Sequence, residues 1–548
     1  MSRRAALVAA AAALAVAPAA AQDIEMLSRM SGRPLPQGYY DRIRQDPDFF
    51  EQKRHWPGYR AAPQIAPGGE PASVEHRPLR GELHMVVIMA LFSDSPEPIL
   101  STRSVQETLF GANPRGNLTE FYQELSGGLL TIRGTVLPWV RTSITRAETV
   151  GQSYGLGADA NTARYLREAV KAVDATTNFA QYDNDGPDGI PNSPDDDGYV
   201  DLAVFQFAER AAACEDGEGM WPHRAGLSGW LGTAYATDDL RPNGHPVKVD
   251  GYHIQSAVTC DGTQQSISVL AHETGHALGL PDFYDAVTGL EPMHRRWVLG
   301  CWALMAGGSW GCGDGARYGE TVSPPHMSPF EKAPLGWIEQ VVAQPGWRRT
   351  YTLDPVQTGG QTLVVPLQRN YEYLMLEYRP NTGFDAVLPV GGVLVYHVDW
   401  GGSLNISCVT CPRRYLVSLV EADGDSALLR TAAEGGDRGV AGDVFTGRRT
   451  LDDRTHPSAR LNDGRRSNVG LEIEVAGGQA RITVSTLPAV IATEPLLAPL
   501  LGSAGGTLTA DERAALDYFG NRSGGYDLGD LRTFMRYRPG VVRQTSGG

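Results

Sequence analysis

Residues 272–282 read HETGHALGLPD, and the fold and chemistry of the chain are read outward from them. His272 and His276 stand four positions apart, so a helix projects both from one face, one turn above the other. That spacing lets two imidazoles share one metal ion. Glu273, beside the first histidine, is placed to take a proton from water activated by that metal. Gly279 follows where a helix that must stop and turn back needs a residue tolerant of positive φ. The chain then returns to Asp282, a carboxylate able to serve as third ligand, with Asp285 three residues beyond as the rival. Two imidazoles and one carboxylate leave a fourth position open, as catalytic zinc sites do.

At 548 residues the chain is too long for one core, and length alone points to about three or four domains. The net charge of −15 argues against nucleic acid as a partner, because nothing neutralises phosphates. MSRR at the N-terminus precedes an almost pure Ala/Val/Leu run over residues 5–17 and small residues to Ala21. This is the pattern of an export signal cut after Ala21, and the run is short for a membrane span. A secreted protein is expected, with the periplasm as a stage in transit and no membrane anchor. Six cysteines in an exported chain are expected to be oxidised. Cys408 and Cys411 form a CVTC pair, Cys301 and Cys312 flank a Gly-rich turn, and Cys214 and Cys260 remain. That is one pairing among fifteen.

Along the chain, residues 22–80 are polar and Pro-rich, with a helical patch near 41–54, and occupy the place of a propeptide. No cysteine lies there to block a metal, although Asp46 and Asp48 offer carboxylates. Residues 84–92 and 200–207 are apolar runs of strand length, consistent with buried strands. Residues 117–125, 160–173 and 266–278 read as helices, so 81–344 is a mixed block of α+β class. From 345 to 487 short strands separated by Gly/Asp/Asn turns predict a β-rich domain. Residues 488–548 read as a linker and a small helical tail.

Residues 183–201, DNDGPDGIPNSPDDDGYVD, hold seven aspartates and no basic residue. Such density repels itself unless a hard cation neutralises it, and oxygen-only ligands on a Gly-containing loop suit calcium. Asp183, Asp185, Asp188, Asp195, Asp197 and Asp201 are the candidate ligands, against a solvated acidic loop as the plain alternative. Glu421, Asp423, Asp425, Asp437 and Asp443 form a second acidic set. In the tail, Asn521, Ser523, Gly524, Asp527 and Asp530 occupy positions of an EF-hand-type loop whose first place is Phe519. This resembles half of a dockerin module and makes a cohesin-like partner a weak expectation beside a plain helical cap. Met305 lies in a tight turn at 303–308.

Taken together, HETGHALGLPDFYD (272–285), WALMAGGSWG (302–311), SPFEKAPLGWI (328–338), ELSGGLL (124–130) and TGFDAVLPVGGVLVYHVD (382–399) resemble the immune inhibitor A family of secreted metallopeptidases. The resemblance spans roughly 84–475. It implies a zincin- or metzincin-like catalytic domain, with a sandwich-like β domain after it. It further implies zinc on His272, His276 and Asp282, Glu273 as general base, Met305 as the floor under the ligands, and structural calcium in the acidic clusters. The expected activity is hydrolysis of internal peptide bonds in extracellular proteins. Tyr318 and His326 are candidate donors to the oxyanion, without geometric support. The rival reading is a non-catalytic, calcium-stiffened adhesin or carbohydrate-binding protein, which would have no need of Glu273.

Overall fold

The apolar run near residue 84 becomes the middle of a sheet. Strand β1 (Gly81–Leu91) is buried from Met85 onward, and its alternate side chains enter two different clusters. A strand covered on both faces reads as a continuous apolar run rather than an alternation. It pairs in parallel with β2 (Leu130–Val136) and β3 (Leu202–Phe207). Strand β3 in turn pairs in parallel with β5 (Gly251–Ser256), and β4 (His223–Gly226) closes the far edge antiparallel. The strand order is therefore β2-β1-β3-β5-β4.

The structure is a computed structural model describing residues 35–46, 49–50, 78–186, 188–214, 216–285, 296–312, 323–367, 371–403, 414–487, 491–503 and 506–537. The export signal at 1–21, Asp48, Tyr318, Cys408 and Cys411 lie outside the described residues. Ahead of the sheet, helix α1 (Gln37–Gln45) packs on the first half through Tyr39. Its Arg42 guanidinium stands 4.2 Å from the Trp230 ring and 4.4 Å from Phe49. Helix α2 (Leu118–Leu125) starts at a capping box in which Asn117 and Glu120 satisfy each other's backbone N–H groups. Helix α3 (Thr162–Asp174) covers one face of the sheet through Tyr165, Leu166, Ala169 and Val170. Helix α4 (Ser268–Ala277), which carries the histidines, covers the other through Leu270 and Ala271.

Helix α5 (Pro329–Leu335) leads into the second half. There a five-stranded sheet runs β11-β10-β9-β8-β6, made of β6 (Gln340–Val342), β8 (Thr362–Pro366), β9 (Glu372–Arg379), β10 (Gly392–Asp399) and β11 (Val417–Leu419). A four-stranded antiparallel sheet consists of β7 (Arg349–Leu353), β12 (Arg448–Leu451), β13 (Val469–Ala476) and β14 (Gln479–Thr486). The two sheets share one apolar cluster, with Leu363, Leu374, Leu376, Val393 and Val395 meeting Leu451, Leu471, Ile473 and Ile482. The opposite face of the first sheet, through Val364, Met375, Leu394 and Tyr396, joins the cluster that holds α4 and Met305. Every residue of β9 and β10 is consequently buried.

The tail packs as a helical hairpin, α6 (Ala510–Phe519) and α7 (Leu528–Tyr537), on the β-rich half. Phe519, where an EF-hand carries its first carboxylate, is a core residue beside Leu516 and Phe534. Asp527 accepts hydrogen bonds from Asn521 Nδ2 at 2.8 Å and Ser523 Oγ at 2.9 Å. Asp530 accepts the backbone N–H groups of Asn521 and Asp527. The loop's carboxylates thus fasten its own turn, and Arg466 ties the Phe519 carbonyl to the sheet domain at 3.1 Å.

Candidate metal centre

Helix α4 stops at Gly279, whose φ is +93°. The backbone then doubles back and brings Asp282 under the two histidines. The Nδ1 atom of His272 lies 2.9 Å from the Leu304 carbonyl, and that of His276 lies 2.8 Å from the Leu280 carbonyl. A carbonyl only accepts, so both Nδ1 atoms carry the proton and both Nε2 lone pairs face inward. The two Nε2 atoms are 3.1 Å apart, and Asp282 Oδ1 is 3.1 Å from the first and 3.5 Å from the second. Two tetrahedral ligands held at about 2.1 Å from zinc are about 3.4 Å apart. The spacing of this triangle therefore suits such an ion. All three residues are buried, and inward lone pairs beside a buried carboxylate repel unless a cation compensates them. On these grounds the donor set fits zinc.

The segment 303–308 lies directly beneath. Met305 is fully buried, and a Cβ added at Gly275, between the two histidines, would meet its Sδ at 2.3 Å. The glycine inside HETGH is thus what lets the thioether approach the helix, a use the spacing of the histidines alone does not disclose. Met305 N–H donates to Glu331 Oε1 at 2.6 Å, and Phe283 N–H donates to the Met305 carbonyl at 2.7 Å. From the other side the Tyr122 hydroxyl donates to the Ala271 carbonyl at 2.7 Å, holding α4 one residue before His272. Glu331 was not singled out from sequence. Its only trace there is the S-x-x-E pattern of a capping box, Ser328 to Glu331, which α5 does form.

Glu273 points toward strand β5. Its Oε2 is 3.7 Å from His253 Nδ1 on β5, and both side chains are about nine-tenths buried. His253 Nε2 lies 3.0 Å from Gln255 Oε1. Asp285 is placed elsewhere: its Oδ2 accepts from the Tyr415 hydroxyl at 2.7 Å and pairs with Arg296 at 3.4 Å. The geometry therefore groups Asp282, not Asp285, with the histidines. His326 is fully buried, with Nε2 at 2.8 Å from Glu124 and Nδ1 at 2.8 Å from Lys332 Nζ. Both of its ring nitrogens are thus engaged inside the core.

Of the six aspartates expected to bind a cation, Asp183, Asp185 and Asp201 bring one oxygen each within 4.8 Å of one another. Asp183 is fully buried and its Oδ2 has no hydrogen-bond partner. Burial, reinforced by neighbouring carboxylates, pushes Asp183 up to about 7 and Asp185 to about 6. The other three are turned to their own loop and do not join this group. Asp188 accepts from Ile190 N–H, Asp195 from Asp188 N–H and Asp197 from Tyr199 N–H. In the second set Glu421, Asp423 and Asp425 converge in the same manner. Disulfides join Cys214 to Cys260 and Cys301 to Cys312. The second brackets the methionine segment.

Comparison with known proteins finds relatives for the region that holds the site. Residues 102–338 match the family described as immune inhibitor A peptidase M6, catalytic domain. That region is similar to a peptidase M6 catalytic domain. It contains His272, Glu273, His276, Asp282, Met305 and Glu331, so the resemblance read from the motifs holds there. The pre-pro-metalloprotease PrtV of two Vibrio cholerae serotype O1 strains is 30% identical over 205 residues, 35% of this chain and 21% of that protein. Immune inhibitor A of Bacillus thuringiensis subsp. alesti is 30% identical over 233 residues, 39% of this chain and 31% of that protein. The chain thus spans about a fifth to a third of the length of these relatives.

Proposed function

We propose that the protein is a secreted zinc endopeptidase acting on extracellular proteins, with zinc on His272, His276 and Asp282 and with Glu273 as general base. The observation that carries this reading is the buried triangle of two inward Nε2 lone pairs and one carboxylate, lying within a region similar to a peptidase M6 catalytic domain. Zinc, when bound, would supply a Lewis acid for the scissile carbonyl and lower the pKa of water. Glu273, adjacent to His272 on the same helix, takes the proton of the attacking water and returns it to the leaving amine. The Leu304 and Leu280 carbonyls keep both imidazoles in the tautomer that presents Nε2. Met305, packed on Gly275, fixes the distance between the helix and the segment below it.

The wider organisation follows the same reading. Residues 1–21 are removed on export, and 22–80 form a propeptide whose α1 docks on the catalytic half. Asp183, Asp185 and Asp201 bind structural calcium, supported by the buried Asp183 oxygen that lacks a partner. The site is tested by secreting the full chain and its Glu273→Gln variant, then measuring zinc content and casein cleavage after prosegment removal. The expected result is about one zinc in each and cleavage by wild type alone. Equal cleavage by both, or a folded wild type that takes up no zinc, defeats the proposal.

A further inference from the structure

The Leu304 carbonyl and the Met305 N–H are the two ends of one peptide group. The carbonyl end accepts the Nδ1 proton of His272 at 2.9 Å, and the N–H end donates to Glu331 Oε1 at 2.6 Å. All four residues are buried, with His272 at 1% exposure and the others at 0%. We propose that Glu331 is the distal carboxylate of a relay running through the Leu304–Met305 peptide to His272, and that it sets the orientation and donor strength of that ligand. The inference rests on reading His272, His276 and Asp282 as a divalent-metal site.

The physical basis is polarisation along a hydrogen-bonded chain. A carboxylate accepting from an amide N–H draws negative charge toward the amide oxygen, and bonds in series strengthen one another in a low-dielectric interior. A stronger acceptor at Nδ1–H makes the opposite nitrogen more basic and fixes the ring. Histidine ligands commonly give this proton to a carboxylate or to a backbone carbonyl. Here a carbonyl receives it and a carboxylate backs that carbonyl. The second histidine supplies an internal contrast. His276 donates to the Leu280 carbonyl, and the nitrogen of that peptide belongs to Pro281, which has no N–H to pass to any acceptor. The relay is therefore built on one ligand only.

Glu331 is also held for this task from behind. Its Oε2 accepts the Ser328 N–H within the capping box of α5. Burial raises its pKa to about 7, and hydrogen bonds from Ser328 and the Met305 N–H, with the Arg379 guanidinium of β9 behind them, offset part of that rise. Arg379 itself donates to the Trp302 carbonyl and pairs with Asp385. A residue of the β-rich half thereby contributes to keeping the Glu331 charge.

The test uses the full chain and measures zinc affinity by chelator competition and the visible spectrum of the cobalt-substituted protein. Glu331→Gln keeps an oxygen for Met305 N–H but removes the charge. It should weaken zinc binding by about tenfold or more, within the range seen when partners of metal-bound histidines are lost, and shift the cobalt bands. Asp285→Ala breaks the buried pair with Arg296 and destabilises the fold without touching the relay. It should lower thermal stability while leaving metal affinity and spectrum unchanged. Wild-type affinity and an unshifted cobalt spectrum in Glu331→Gln overturn the proposal. So does an equal loss of affinity in Asp285→Ala. Wild type itself is examined by 15N-methionine labelling, with the Met305 amide assigned through Met305→Leu. That amide should move when zinc is added to metal-free protein, and no movement also overturns the relay. A wild type that binds neither zinc nor cobalt defeats the underlying zinc reading instead.

Discussion

Asp282 and Asp285 are three residues apart and chemically the same, yet the fold gives them different work. Asp282 closes the triangle with the histidine Nε2 atoms, whereas Asp285 is enclosed with Arg296 and the Tyr415 hydroxyl. The two are separable by substitution. Asp282→Asn should abolish stoichiometric zinc binding, measured by metal analysis after gel filtration. Asp285→Ala should retain zinc but strand Arg296 as an uncompensated buried cation, which costs about 3 kcal/mol. That loss is read from urea unfolding. Zinc retained in the first variant and lost in the second would reverse the assignment. From sequence both aspartates stood open, and the family resemblance favoured the first. What settled their separation is the direction of the chain after Gly279 and the presence of Tyr415, which is 130 residues away.

Among the elements, the loop 183–201 carries the clearest pH dependence. Asp183 and Asp185 have folded-state pKa values raised to about 7 and about 6 from 3.8, chiefly by burial. Between those limits the metal-free folded state binds more protons than the unfolded state, so stability falls as pH rises through that window. At the proposed calcium site a cation would replace the protons. In EGTA the melting temperature should therefore decline from pH 5 to pH 8, and added calcium should restore it most at the upper end. A calcium effect that is absent at pH 8 would count against the site. The loop's composition was legible as a cation-binding candidate, but which aspartates converge was not. Asp188, Asp195 and Asp197 have the same side chain, accept the backbone N–H groups of Ile190, Asp188 and Tyr199, and stay outside the converging three. The tail shows the same limit, since Phe519 at the first place of an EF-hand-like loop turned out to be a core residue.

In the molecule as a whole, β9 and β10 are buried on both faces, one against the second sheet and one against the cluster holding α4 and Met305. The catalytic and β-rich halves thus share apolar surface that neither can leave exposed. Calorimetry of the full chain should show the two halves melting in one cooperative transition, and two resolved transitions for them would contradict the shared core. The histidine spacing, the glycine that ends α4, the apolar run of β1 and the alternation of mixed and β-rich halves were all readable in the chain, because each depends on local periodicity or backbone conformation. The choice between two carboxylates, the packing of Met305 on Gly275 and the bond from Glu331 to the Met305 amide were decided only by tertiary structure. Each joins residues distant in sequence across a dry interior, where the nearest partner and not the residue type determines what a buried polar group does.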